Sequence, residues 1–248
     1  MIREIMIDRN IGKSGKFRWR GHEISRIEGL SDAVFAFAIT LLVVSLEVPK
    51  TFAELAETMH GFGAFLISFL LLFTVWFNQY KFFRRYGLQD TLTVVLNAGL
   101  LFVVLFYVYP LKFLFTFLVE EFTGGTAQVH LANGTVVPMI ENYHQMASLM
   151  VIFNLGYLAV FGVFVILFWH AYRKREELEL NELERFDTRE SILECSLMCG
   201  IAMLSLLVVV IGGSGRANLA GATYMLTPIV MTLHGMIMGK RRRKLEEH

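Results

Sequence analysis

Six apolar runs divide this chain, at approximately 27–48, 59–81, 91–118, 146–171, 191–212 and 217–239. Each is about as long as the roughly 20 residues a helix needs to cross a bilayer. In hydrocarbon the backbone must satisfy its own hydrogen bonds, so segments of this kind fold as helices. The chain is 55% hydrophobic and 18% charged over 248 residues, and the charges are gathered into short blocks. That excludes an ordinary soluble domain. The expected fold is an all-α membrane protein with six transmembrane helices. It forms a single domain over residues 1–248, with a basic N-terminal tail (1–25) and a basic C-terminal tail (240–248). The third run is long enough to tilt, and Pro110 inside it predicts a kink.

Charge placement orients the helices. The N-terminal tail with Arg26, the 81–90 and 172–190 loops and the segment Lys240–Lys244 together hold 20 of the 23 Lys and Arg residues. Only Lys50, Lys112 and Arg216 remain for the opposite side. An even span count with this asymmetry predicts a multi-pass protein of the cell membrane with both termini cytoplasmic. The first twenty residues are polar and basic, which fits an uncleaved membrane helix better than a signal peptide. Net charge is +1, so the overall balance says little about partners; membrane lipids are expected as surroundings and no nucleic acid is expected as a partner. Lys240–Lys244 reads as a topology determinant more readily than as an anionic-lipid site.

Two loops carry local signals. In the outer segment 119–145, Asn133-Gly134 between β-branched flanks predicts a small hairpin over 129–137. Asn133-Gly134-Thr135 is also a glycosylation sequon, relevant only in a eukaryotic secretory host. The charged, Leu-spaced segment 172–190 predicts a helical extension of the fourth span. No cofactor or metal site is expected. Cys195 and Cys199 are two thiols four residues apart in an apolar run, more readily packing residues than a metal pair. His60, His144, His170 and His234 are scattered at different depths without ligand spacing, which argues against an enzyme.

The first run holds the most costly residues. Asp32 lies roughly 8 Å inside its span at 1.5 Å per residue, and Glu28 precedes it by one turn. An intramembrane carboxylate needs partners. The second span returns toward Lys81 and the third leaves from about 91, so Trp76, Asn78, Gln79 and Asn97 fall near the depth of Ser31 and Asp32. Arg26, Lys81, Arg84 and Arg85 stand just beyond. A buried polar cluster near the inner leaflet is therefore predicted, with Asp32 accepting hydrogen bonds from Ser31, Asn or Trp side chains. At 100° per residue, Ala33, Phe37, Thr40, Leu41, Val44 and Val48 form one stripe, and Asp32 lies about 140° from Phe37. Periodicity alone favours lipid exposure or ordinary packing for that stripe. If it faces an axis instead, Ser31 and Asp32 face neighbouring helices.

The segment Arg26-x-x-x-Leu30-Ser31-Asp32, followed by an apolar run with Thr40 eight residues after the aspartate, resembles the signature of the transmembrane protein 175 (endosomal/lysosomal potassium channel) family. Trp76-x-Asn78-x-x-Lys81-x-Phe83 resembles the second-helix motif of that family, and Asn97 and the six-span layout also fit. A single motif copy points to the prokaryotic single-repeat branch. The resemblance implies a homotetramer whose first helices line a central pore for potassium ions. It implies a pore constriction at Phe37, Leu41 and Val44, a selectivity role for Thr40, and a structural polar motif of Arg26, Ser31, Asp32, Trp76, Asn78, Gln79 and Asn97. Leu30, Phe37 and the pair Gln79-Tyr80 depart from the residues usual in the family, and Phe37 bears directly on pore width.

The chain has no Thr-Val-Gly-Tyr-Gly filter; Gly156-Tyr157 stands alone and reads as a packing site. A hydrophobic constriction that gates by dewetting would replace such a filter. The resulting expectation is a potassium-selective or weakly selective cation channel. The alternative is a secondary transporter using the intramembrane Asp32 with Asn154, Asn218 and His234. Against it, no repeat pair or matching broken helices are visible.

Overall fold

The computed structural model describes residues 17–21, 23–44, 50–52, 55–56, 59, 61–122, 128–130 and 135–246. In chain order the elements are α1 (Arg26–Val44), α2 (Phe62–Tyr86), α3 (Thr91–Phe122), β1 (Gln128–His130), β2 (Val136–Pro138), α4 (Tyr143–Arg173), α5 (Glu182–Gly212), α6 (Ala217–Ala222) and α7 (Leu226–Glu246). Among the described residues, α2, α3, α4 and α5 are long and apolar enough to cross a membrane. The described part of α1 adds 19 residues, about 28 Å of helix; residues 45–48 of the first run lie outside the described residues. Among the described residues the fold is helical except for turns and one antiparallel hairpin, in which Val129 pairs with Val137. The Asn133-Gly134 turn expected there lies outside the described residues.

Helix ends depart from the apolar runs because capping chemistry decides them. α2 continues to Tyr86 and stops at Gly87, whose φ of 60° is left-handed and whose N–H donates to the Phe83 carbonyl at 2.8 Å. A side chain at 87 would also press on the Arg20 carbonyl at 3.2 Å. The segment after α4 is not the predicted helical extension. α4 ends at Arg173, turns follow, and Glu179 adopts φ 49°. α5 then begins early, at Glu182. The Asn181 side chain accepts from the Glu184 N–H at 2.8 Å, while the Glu184 carboxylate accepts from the Asn181 N–H at 3.2 Å.

The sixth run is also corrected. It is divided by a 3-10 turn at Thr223–Met225 and reaches Glu246. Gly213 and the 3-10 turn Ser214–Arg216 separate it from α5. At the division, the Ala220 carbonyl accepts from the hydroxyls of Ser205 (2.9 Å) and Thr223 (2.7 Å). Pro228, inside the first turn of α7, brings no N–H to the helix. Pro110 lies within α3, whose helix is continuous through it.

α4 and α5 form the most extensive helix pair; α3 packs on α4, and α1 seats against α2 and α3. The core between them is aromatic. Phe82 meets Phe168 edge-on at 5.5 Å, and buried Tyr86 donates to the Thr188 hydroxyl at 2.8 Å. Pairs of this kind add about 0.5–1.5 kcal/mol beyond area burial. The isolated Gly156 is indeed a packing position, because a Cβ there would come within 2.1 Å of the Tyr107 ring.

At the basic end of the helices the segment before α1 is strapped down. The N–H groups of Arg20 and Gly21 donate to the Arg84 carbonyl at 3.0 and 3.2 Å. The Arg20 guanidinium pairs with Glu184 at 2.7 Å and donates to the Leu178 carbonyl at 2.8 Å. Glu184 is only 1% exposed, so this ion pair survives burial because its lone pairs are filled. Nearby, Asp90 meets the ring of His170 at 2.6 Å. Partial burial opposes its ionisation, yet hydrogen bonds from Thr93 and His170 outweigh that and hold the Asp90 carboxyl below its ordinary range.

Replacing Gly156 by alanine drives a methyl into the Tyr107 ring, an overpacking worth about 1–3 kcal/mol. Thermal denaturation in detergent should show G156A melting below the wild type. G162A, in the same helix with nothing within 4 Å of its Cβ position, should not.

Candidate functional site

α1 is held by one face and leaves the other bare. Ser31, Phe35, Ala38 and Leu42 are buried, an i, i+4, i+7, i+11 pattern turned toward α2 and α3. On the other side Ala33, Ala36, Phe37 and Thr40 are exposed in the protomer. Phe37 is 56% exposed, which is costly in water and needs lipid or another copy of the chain to cover it. Leu41 is half-buried at the edge of this face; the Val44 side chain lies outside the described residues. The Thr40 hydroxyl donates to the Ala36 carbonyl at 2.8 Å. With its proton committed to the helix, its oxygen remains an acceptor.

The buried face carries a chain of hydrogen bonds across three helices. Gln79 of α2 donates its amide to Asn97 of α3 at 2.7 Å. Asn97 donates in turn to the Ser31 hydroxyl of α1 at 2.9 Å, and Ser31 donates to the Ile27 carbonyl at 2.8 Å. Every donor in that chain has an acceptor, as burial of Gln79, Asn97 and Ser31 demands. One residue along, the Trp76 indole donates to Asp32 at 2.8 Å. A small cleft of about 190 Å³ opens beside Asp32, Trp76 and Gln79.

The structure thus brings together Ser31, Asp32, Trp76, Gln79 and Asn97. Asn97 reaches Ser31 and not Asp32, whose described partner is Trp76 alone. Asn78 is half-buried and Arg26 exposed, and neither joins the hydrogen-bond chain among the described residues. Glu28 does not confront Asp32. It closes a capping box with Ser25, the Ser25 N–H donating to its carboxylate at 3.1 Å and the Glu28 N–H donating to the Ser25 hydroxyl at 3.2 Å.

Lys112, which charge placement puts toward the opposite side, is a further member. It lies inside α3, and its ammonium donates to the Leu42 carbonyl of α1 at 3.0 Å. A lone cation in an apolar run was the available signal. The bond places a positive charge near the end of α1 where the helix dipole is negative. The polar residues invoked for transport do not converge on Asp32 through any hydrogen bond among the described residues, and the Nδ2 of Asn154 and the Nε2 of His234 are buried without a hydrogen-bond partner there. Asn154 accepts from Tyr224 at 2.6 Å, and the Asn218 side chain lies outside the described residues. Among the described residues no group of three or more His, Cys, Asp or Glu is placed to hold a metal ion.

Residues 26–107, the span that contains all of this geometry, match the family model for the endosomal/lysosomal potassium channel TMEM175. A protein of Marivirga tractuosa named as a potassium channel is 42% identical over 241 residues, covering 95% of this chain and 96% of its own. The fold resembles a crystal structure of a variant of the potassium channel MtTMEM175 in complex with a nanobody–MBP fusion protein. That match has a TM-score of 0.78 and 40% identity, covering 92% of this chain and 99% of the other. A more distant match, at TM-score 0.51 and 22% identity over 84% of this chain and 96% of the other, is the lysosomal potassium-selective channel TMEM175 homolog from Chamaesiphon minutus, and it shares the fold. The chain belongs to the TMEM175 family and is a multi-pass membrane protein.

Asn97→Ala strands the Gln79 amide, a buried group whose unmet hydrogen bond costs about 1–3 kcal/mol. Its thermal midpoint in detergent should fall clearly. Trp76→Phe frees only Asp32, which is exposed in the protomer, and should cost less. Equal losses, or none for Asn97→Ala, would contradict this ordering.

Proposed function

We propose that this chain is the subunit of a potassium channel in which copies of α1 surround the ion path. The observation that carries this reading is the bare face of α1: an exposed Phe37 and Thr40 lie opposite a face that is fully packed and hydrogen-bonded. Membership of the TMEM175 family supports potassium as the ion. In a homotetramer with the bare faces inward, Phe37, Leu41 and Val44 stack as apolar rings. A narrow apolar ring resists wetting, so the path conducts when the rings widen and water enters. The acceptor oxygens of Thr40 lie between the first two rings and replace part of an ion's hydration shell. Ser31, Asp32, Trp76, Gln79 and Asn97 set the rotation of α1 and so the aim of its bare face, with Arg26 and Asn78 flanking them.

This reading counts α1 and the helical run Ala217–Glu246 as two of six spans; an even count, with the basic blocks on one side, supports both termini on the cytoplasmic side of the cell membrane. The protein then functions as one channel domain and not as an enzyme. A transporter built on Asp32 is the weaker reading, since that carboxylate already accepts from Trp76.

The test is reconstitution of the purified oligomer in liposomes with a potassium gradient. Wild-type protein should pass potassium without proton coupling. Phe37→Ala should raise leak. Thr40→Val should lower potassium-over-sodium selectivity, while Thr40→Ser preserves it. Saturable, proton-coupled flux would favour the transporter, and unchanged behaviour of Phe37→Ala would remove Phe37 from the constriction.

A further inference from the structure

We propose that an open cavity at the basic end of the protomer binds the headgroup of an ethanolamine phospholipid. The phosphate would sit on Lys81 and Arg84 and the ammonium on Glu190 and Glu194. The inference rests on the membrane placement proposed above. The cavity measures about 660 Å³ and lies between the end of α2, the first turns of α5, the strapped segment before α1 and Arg242 of α7.

Its charges are only partly used by the protein. Asp187 is satisfied by Arg242, at 2.9 and 3.2 Å, and Arg85 donates to Ser191 at 3.3 Å. Lys81, Glu190 and Glu194 line the same cavity yet form no ion pair among the described residues. The Lys81 ammonium sits 5.2 Å from the centre of the Phe77 ring. Arg84 gives Nη1 to the Gly21 carbonyl at 2.9 Å, but its Nε is buried with no partner. Lys81 and Arg84 of α2 and Glu190 and Glu194 of α5 thus share one cavity; Lys81 feels the charge of both carboxylates across it, but no direct ion pair among the described residues closes the gap between the two walls.

A simple anion would answer the α2 wall and a simple cation the α5 wall. A phosphate linked to an ammonium answers both. A primary ammonium donates three hydrogen bonds, which carboxylates accept; a quaternary choline has none to give. The lipid origin follows from the rim. Phe77 lies one turn deeper in the apolar run than Lys81, and both Phe77 and Trp19 line the cavity while remaining exposed. Aromatic rings at that level suit the boundary between acyl chains and headgroups.

The experiment uses full-length protein purified from bacterial membranes in mild detergent, with co-purifying lipids extracted and quantified by mass spectrometry. Wild-type protein should retain phosphatidylethanolamine in preference to phosphatidylglycerol. Lys81→Gln and the pair Glu190→Gln/Glu194→Gln should each lose it by about tenfold, roughly 1.4 kcal/mol of affinity, with phosphatidylglycerol unchanged. Retention of phosphatidylethanolamine by both variants at the wild-type level overturns the site. Delipidated wild-type protein, which needs no variant to fold, is titrated in parallel by native mass spectrometry. Lysophosphatidylethanolamine should bind more tightly than lysophosphatidylcholine and than glycerophosphoethanolamine, which lacks acyl chains. Equal binding of the choline lipid overturns the ammonium assignment, and equal binding of the tail-free headgroup overturns the lipid source. Potassium flux of wild-type protein in ethanolamine-lipid vesicles reports separately on the channel reading: flux without selective lipid retention overturns this site alone.

Discussion

The structure depends on the hydrogen-bond chain from Gln79 through Asn97 to Ser31. In a bilayer, apolar side chains gain little by leaving lipid for a neighbouring helix, so a single apolar helix has weakly determined rotation. Each interhelical hydrogen bond contributes only about 0.6–2 kcal/mol. Its directional character matters more. With Ser31 fixed on Asn97 and Asp32 on Trp76, α1 has one rotation at which both bonds form. That rotation buries Phe35, Ala38 and Leu42 and turns Phe37 and Thr40 outward. Rotating α1 by one residue, about 100°, would break both bonds and change the face it presents.

Two further contacts hold the ends of the same helix. At its start, the strap from Arg18 to Gly21 ties the chain to Arg84 and to buried Glu184, one turn into α5. Because Glu184 also caps α5, the entrance to α1, the end of α2 and the start of α5 meet at one carboxylate and its neighbours. Toward the other end, Lys112 holds the Leu42 carbonyl, next to Leu41 at the edge of the bare face. The apolar segment between these ties carries Phe37 and Thr40. A helix gripped at both ends and in its first turns suits the proposed constriction, whose wetting would depend on small changes of radius.

Much of this was legible in the sequence because membranes make polar residues conspicuous. Asp32, Ser31, Trp76, Gln79 and Asn97 stood out from apolar runs, and depth counting at 1.5 Å per residue brought them to one level. The hairpin was legible from turn chemistry. Depth counting does not give pairing: it brings Asn97 level with both Ser31 and Asp32, and it sets Arg26 and Asn78 beside residues that they do not bond among the described residues. The helix ends were less visible. Hydropathy marks where a helix meets water, whereas the Ser25-x-x-Glu28 and Asn181-x-x-Glu184 boxes decide where α1 and α5 begin and the left-handed Gly87 decides where α2 stops. Arg20–Glu184 joins residues 164 apart, and no local pattern announces such a pair. Charge placement treats Lys112 as a topology signal, whereas its ammonium is the partner of a helix end.

The central claim is that the bare face of α1 lines the ion path. It is tested most directly by cysteine accessibility in a background where Cys195 and Cys199 are replaced by alanine. A charged methanethiosulfonate reagent should block potassium current through F37C and T40C channels. It should leave current unchanged when the cysteine is at Phe102 or Phe106, exposed positions on α3 away from that face. Block at the α3 positions with none at 37 or 40 would contradict the account and place the path elsewhere.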